Sequence, residues 1–482
     1  MTKQELKQKL YERYIKPTEK KSDTFIGVEV EMPIVNLRMR AVDFDVVHSL
    51  TAVFLKKFGF LPVGTDEDGH IYSAEHRNSG DVFSYDCSYN NLEISFGKES
   101  SLFNIHERFL TYYRFIQDFL SRHEHTLTGM GINPYRQLNN NIPIKNGRYK
   151  MLYHHLKSYS QYRILPMYFH PYPNFGMFSS ASQVQLDVGK ENLPKVLHTF
   201  NRLEPLKAVL FANSVLVGEN EDLLCCRDML WENSTHGINP HNIGMYDCEI
   251  NTLDDILNYM TTLSIYCVER DGHYINFHPT NIVKYFNTDN IVGEYEDKGR
   301  TISLTFRPQE SDLAYLRTFK LEDLTFRGTV EFRSVCCQPI SDVMTVSAFH
   351  LGLLQRVDDL AELLDKDDVI YHNGYTAAEL RKLLVHSELP NFIDEDRLYH
   401  LIEQVLDIAA KGLCDRALGE EKYLLPLYER VYDRTNPAKV MLQKLKQGET
   451  TQSVISDFAS EQKIGVSHLQ NLSQTKKMGD TA

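Results

Sequence analysis

The chain lacks any uninterrupted apolar run of the roughly 18 to 20 residues that a membrane-spanning helix needs. Its opening, Met1-Thr-Lys-Gln-Glu-Leu-Lys-Gln8, has no apolar stretch of the secretory type, so a cytoplasmic location and no membrane partner are expected. Positive charge is also short. Lys and Arg total 52 against 65 Asp and Glu, a formal net charge of -13, and no basic run is dense enough to offset it. A nucleic-acid partner is therefore not expected, because phosphate binding needs a basic face. The eight cysteines include the adjacent pairs Cys225-Cys226 and Cys336-Cys337 but no C-x-x-C, which argues for reduced thiols rather than a disulfide framework or a zinc knuckle. Also missing are a G-x-x-x-x-G-K-[ST] phosphate loop and a serine or cysteine in a nucleophile-elbow setting; Gly129-Met-Gly131 is a lone G-x-G. What remains is ordinary globular material, 42% hydrophobic and 24% charged in 482 residues, with small molecules as the expected ligands.

Along the chain, apolar spacing predicts helices over about 2–20, 43–59, 101–122, 147–159, 191–214, 253–269 and 341–366. Turn signals at Asp66-Glu-Asp-Gly69, Asn78-Ser-Gly80 and Asn90-Asn91 punctuate short β-like runs between 60 and 96, which suggests antiparallel hairpins rather than βαβ crossovers. Leu127 to Pro134 reads as another strand. The expected division is a catalytic region over 1–366, a helical region over 367–446 packed on it, and a mobile Gly/Ser/Thr/Gln-rich tail over 447–482.

Four segments carry the chemistry: Ile26-Gly-Val-Glu-Val-Glu-Met32, Asn91-Leu-Glu-Ile-Ser-Phe96, Ser182-Gln-Val-Gln-Leu-Asp-Val188 and Thr329-Val-Glu-Phe-Arg-Ser334. Strand side chains alternate, so Glu29 and Glu31 share one face while Val28, Val30 and Met32 share the other. The same logic groups Glu93 with Asn91 and Ser95, Gln183 with Gln185 and Asp187, and Glu331 with Arg333. Each segment alone also fits an exposed strand face or a cross-strand Glu/Arg pair. Together, their polar faces on one sheet would crowd three or four carboxylates that cannot all stay ionised without a counter-cation. Oxygen ligands without a Cys/His cluster point to magnesium or manganese. Arg227, in an apolar stretch, needs an anionic partner, either a substrate carboxylate or a structural aspartate such as Asp228.

The order of these segments resembles the glutamate-cysteine ligases and the wider carboxylate-amine ligases related to glutamine synthetase. The likeness runs from about 25 to 340. It rests on G-x-E-x-E at Gly27 to Glu31, Leu92-Glu93 followed by Ser95, and Gly129-x-Gly-x-Asn-Pro134. Gly147-Arg148-Tyr149, Gln183-Val-Gln-Leu-Asp187, Phe211-Ala-Asn-Ser214, Arg227 before an aromatic, and Glu331-x-Arg333 complete it. The resemblance implies an α+β fold: a curved, mainly antiparallel sheet with the active site on its concave face and helices outside. It further implies ATP as co-substrate and two or three magnesium ions. Glu29, Glu31, Glu93 and Glu331 would be metal ligands, Arg333 the γ-phosphate contact and Arg227 the glutamate contact. Arg148 and Tyr149 would form a substrate-facing loop, with Gln183 and Gln185 facing metal or nucleotide. Gln185 departs from the Asn common at its position in the family. Glutamate and cysteine are the implied substrates. The alternatives are another amine acceptor, a phosphagen-type phosphotransferase, or a nucleotide-binding protein without turnover.

Overall fold

The computed structural model describes residues 1–19, 25–162, 165–297 and 299–462. Its first seven strands are β1 (Ile26–Asn36), β2 (Leu61–Thr65), β3 (Ile71–Glu75), β4 (Val82–Tyr85), β5 (Asn91–Glu99), β6 (His125–Leu127) and β7 (Ser182–Asp187). Then come β8 (Ile243–Gly244), β9 (Ser264–Arg270), β10 (His273–Asn281), β11 (Ile291–Asp297), β12 (Arg300–Phe306), β13 (Phe319–Lys320), β14 (Glu322–Leu324) and β15 (Thr329–Phe332). Nine of them form one sheet in the order β14-β15-β7-β1-β5-β4-β3-β2, with β6 pairing the far end of β1. Every pairing in it is antiparallel. A smaller antiparallel sheet, β12-β11-β10-β9, and a two-stranded parallel pair, β8 with β13, stand beside it.

One face of the large sheet is apolar because every second residue of its central strands is: Val28, Val30, Met32, Ile94, Phe96, Val184, Leu186, Val330 and Phe332 are all buried in the main core. Helices Leu102–Ser121, Leu193–Phe211 and Glu395–Asp415 contribute their apolar faces to that same core. Helix Glu395–Asp415 meets a further helix, Thr345–Gln355, at glycines: a Cβ on Gly352 would sit 2.2 Å from the Ala409 carbonyl oxygen, and one on Gly412 2.0 Å from that of Gly352. The fold is thus the expected α+β arrangement, with the period-two residues left facing the other way.

Several local expectations change. The helix expected over 253–269 stops at Met260, and Ser264–Arg270 becomes β9, whose Ile265, Tyr266, Cys267 and Val268 suit a buried strand better than a helix. The 341–366 helix divides at Arg356, whose backbone leaves the helical region. The strand read over 127–134 ends at Leu127, and Gly129 passes against residues 338 and 339, where a Cβ would lie 2.3 Å from the Gln338 carbonyl. The mobile tail assigned from 447 is corrected in its first part. Thr450 caps a helix over Thr451–Phe458 that buries Val454, Ile455 and Phe458, held by hydrogen bonds from Thr128 to the Ile455 carbonyl and from Tyr113 to the Ala459 carbonyl. Residues 463–482 lie outside the described residues. Among the described residues no helix is long and apolar enough to cross a membrane.

Candidate functional site

Strand register brings the polar residues of the four segments onto one surface. Glu31 lies opposite Glu93, Glu29 opposite Ser95 on one side and Gln183 on the other, and Glu331 opposite Gln185 and Asp323. Glu31 accepts 2.7 Å hydrogen bonds from the Gln183 amide and the Ala181 N–H. The Gln185 amide donates to Glu29 at 2.8 Å and to Glu331 at 3.3 Å, while its oxygen accepts from Arg327 and Thr329. Both glutamines therefore hold carboxylates in place; their extra reach across the ladder is used sideways. Gln183 Oε1 is buried with no hydrogen-bond partner.

A further carboxylate joins the set. Ligand oxygens of Glu31, Asp86 and Glu93 lie within 4.8 Å of one another. Asp86 follows β4, where Ser84 pairs with Glu93, so the period-two rule carries it to the same face. That hairpin register was the missing signal. Crowding and burial have the electrostatic result they must. Burial first, then the neighbouring Asp86 and Glu93, push Glu31 up to about 8. Glu93 is pushed up to about 7 and Glu29 is raised well above the usual range by burial, then by Glu331 and Glu93. Such a group of oxygens is neutralised either by protons or by hard divalent cations.

Arg333 stands at the end of the acidic row, 3.5 Å from Asp323 and 3.6 Å from Glu331, with its guanidinium over the Phe319 ring. Beyond it opens a cavity of about 130 Å³. Glu31, Asp86, Arg148, Tyr149, Arg227 and Arg333 all line it, so the sequence-predicted substrate residues do meet the metal-type residues there. Glu29, Glu93 and Glu331 are not lining residues and continue the acidic surface along the sheet. Tyr149 is placed by the Asn146 cap of helix Gly147–Lys157 and donates to the Tyr85 carbonyl.

Arg227 is buried, and its terminal nitrogen donates to the carbonyls of Ser334 (3.5 Å) and Val335 (3.3 Å) while its Nε has no partner. Asp228 does not neutralise it. Asp228 is taken by Arg381 at 2.7 Å, and the same guanidinium also grips the buried Glu204 at 2.5 Å. The eight cysteines are free thiols, with the Cys225 and Cys336 sulfurs 3.5 Å apart behind Arg227.

The nine-stranded antiparallel sheet gathers carboxylates on one face beside a cavity lined by arginines and carboxylates, and the comparisons with known proteins place the chain among the ATP-dependent ligases. Residues 25–459 match the family model described as glutamate-cysteine ligase family 2, and the chain belongs to that family. Among solved structures it resembles the glutamate–cysteine ligase of Francisella tularensis in complex with AMP, at 13% identity and a TM-score of 0.50, over 95% of this chain and 93% of that one. A bifunctional glutathione synthetase from Pasteurella multocida aligns at 11% identity and a TM-score of 0.42, over 94% of this chain and 52% of that one. No curated protein matches the chain.

Proposed function

We propose that this ligase joins the γ-carboxylate of glutamate to an amine, with cysteine as the first candidate, at the expense of ATP and through a γ-glutamyl phosphate. The observation that carries the reading is the juxtaposition of charge: a crowded acidic cluster, Glu31, Asp86 and Glu93, whose Glu31 and Asp86 also line a cavity that Arg148, Arg227 and Arg333 share. An amide does not form from a carboxylate and an amine in water unless the carboxylate is activated. In the proposed reaction the γ-carboxylate attacks the γ-phosphorus of ATP, ADP leaves, and the amine then displaces phosphate from the acyl carbon. No enzyme nucleophile is required.

The donor set fits magnesium or manganese, being all oxygen, crowded, and accompanied by the unpartnered Gln183 oxygen. Glu31, Asp86 and Glu93 would hold one ion, and Glu29 with Glu331 a second. When bound, such ions neutralise phosphate charge and draw electrons from the transferring group. Gln183 and Gln185 keep the carboxylates oriented. Arg333, planar and five-donor, meets the oxygens of the transferring phosphoryl group, where charge stabilisation acts in a partly desolvated site. Arg227 takes the α-carboxylate of glutamate: it lines the cavity, its terminal nitrogen rests on backbone carbonyls rather than on a paired acid, and its Nε has no partner. Arg148 and Tyr149 close the cavity from the helix above.

The test is ADP release with ATP, magnesium, glutamate and cysteine supplied in every combination, and mass measurement of the product. Full turnover requiring both amino acids, with a γ-glutamyl amide formed, supports the reading. Turnover with glutamate absent, or a phosphorylated acceptor without an amide, refutes it.

A further inference from the structure

Helix Ala377–Leu384 and the turn after it belong to the C-terminal helical region, yet they hold the segment that carries Arg227 at four points along its length. Asp222 pairs with His386 and accepts from the Ser387 hydroxyl, and the Leu224 N–H donates to the Val385 carbonyl at 2.8 Å. Farther on, Arg381 takes Asp228 and Lys382 meets Glu232 at 3.0 Å. The grip on Asp228 is two-pronged: Arg381 Nε donates to one oxygen at 2.7 Å and a terminal nitrogen to the other at 3.2 Å. Its remaining nitrogen donates to the Glu204 carboxylate at 2.5 Å and to the Glu204 carbonyl at 2.8 Å. Asp228 lines the cavity as Arg227 does, and its charge reaches that guanidinium, whereas Arg381 is buried behind the wall and is not a lining residue. An uncancelled anion at Asp228 would repel an incoming carboxylate and weaken the pull of Arg227 on it.

We infer that Arg381 is a positioning residue for the anionic substrate: by closing a two-pronged ion pair on Asp228 from behind, it keeps the cavity wall cationic at Arg227 and gives the C-terminal helical region a direct part in glutamate affinity. The inference rests on the ligase reading, with Arg227 as the carboxylate contact. The balance of charge behind the wall supports it. Two ionised acids, Asp228 and Glu204, meet two bases, Arg381 and Lys207, which leaves the charge of Arg227 over. Glu322, the third acid of that network, is held protonated by burial and by the neighbouring Glu204. Removing the Arg381 charge alone would uncover one acid, and Asp228 is the one that faces the cavity, because Glu204 keeps Lys207 and the Ser334 hydroxyl.

The test compares the KM for glutamate with the KM for ATP in single and paired variants. The chain's one tryptophan, Trp231, lies on the Arg227 helix and lines the cavity, so its emission can be titrated with glutamate as a readout that needs no turnover. Arg381→Gln should weaken glutamate by about 30-fold or more, the usual consequence of deleting one member of a buried charged pair, and shift the KM for ATP by less than about twofold. Arg381→Lys should keep part of the affinity, since it retains the charge without the fork. Adding Asp228→Asn to Arg381→Gln should restore glutamate binding, and Asp228→Asn alone should leave it equal or tighter. A brace that acted only on the fold would not be rescued by removing a second contact. Should Arg381→Gln fail to fold, Arg381→Gln with Glu204→Gln, with and without Asp228→Asn, carries the same comparison. Equal losses for glutamate and ATP, no recovery on adding Asp228→Asn, or weaker glutamate binding in Asp228→Asn alone would each overturn the assignment. Wild-type ADP release indifferent to glutamate would instead refute the ligase reading beneath it.

Discussion

Replacing Glu31 by Gln should make the metal-free protein more stable while removing its activity. Glu31 is buried, and both its oxygens are already engaged by the Ala181 N–H and the Gln183 amide. A glutamine can inherit both contacts: its oxygen accepts from Ala181, and Gln183 turns its amide over so that the now unpartnered Gln183 Oε1 accepts from the new amide. The flip exchanges the unpartnered Gln183 oxygen for an unpartnered Gln183 amide, so the number of unmet groups does not rise, yet one acid leaves the group it forms with Asp86 and Glu93. The sign follows from linkage. Glu31 titrates in the fold at about 8 rather than 4.5, so folding binds a proton that the unfolded chain would release, and stability declines as pH rises from about 4.5 to about 8. At about 1.4 kcal/mol per unit the full cost by pH 8 is roughly 4 kcal/mol, and about 2 kcal/mol if Asp86 and Glu93 share the relief. Urea unfolding in EDTA at pH 5 and pH 8, with and without the substitution, measures this. The variant should gain about 2 to 4 kcal/mol at pH 8 and little at pH 5, and magnesium should stabilise it less than the wild type. A variant less stable than wild type at pH 8 in EDTA, or one that magnesium stabilises undiminished, would sink the argument.

Arg333→Lys should lower kcat more than it raises the KM for ATP, because an ammonium cannot reproduce a two-pronged contact with a transferring phosphoryl group; a change confined to KM would assign Arg333 to ground-state binding. Arg227→Ala should weaken glutamate by about 2 to 5 kcal/mol while leaving ATP affinity nearly constant, and equal losses for both in paired titrations would reassign it. Gly352→Ala should cost at least about 2 to 4 kcal/mol in denaturant unfolding, since its Cβ meets the Ala409 backbone, which has no rotamer with which to move aside; a variant within 0.5 kcal/mol of wild type, roughly the scatter of neutral surface changes, would contradict the close crossing.

The acidic face was legible because strand alternation is a local rule: Glu29, Glu31, Glu93, Gln183, Gln185, Glu331 and Arg333 were all placed by their parity with apolar neighbours. Asp86 was not, since its face depends on the β4–β5 register rather than on any alternation that Tyr85-Asp86-Cys87 displays by itself. The helix Thr451–Phe458 was masked by a polar composition in which only Val454, Ile455 and Phe458 mark the buried side. Propensity read over 253–269 extended a strongly amphipathic helix into residues that pair as β9, where tertiary pairing outweighs the local pattern.

The state of Arg227 shows how far such decisions travel in sequence. Its neighbour Asp228 is the acid a linear reading would offer it, and had the two paired, the guanidinium would face the cavity already neutralised and poorly suited to attract an anion. Arg381, about 150 residues later, removes that option by engaging Asp228 and Glu204 together. Glu204 is held well ionised for the same reason, its carboxyl pulled down to about 2 by Lys207 and Arg381 despite burial. Ser334 closes the loop: its hydroxyl donates to Glu204 while its carbonyl accepts from Arg227. The buried network thus takes Asp228 and Glu204 into direct ion pairs with Arg381 and leaves Arg227 hydrogen-bonded to two carbonyls, with Glu31 and Asp228 acting on it only through their fields. Its cost in desolvation is one that a site for anionic substrates can use, because the electrostatic preference is built before the ligand arrives.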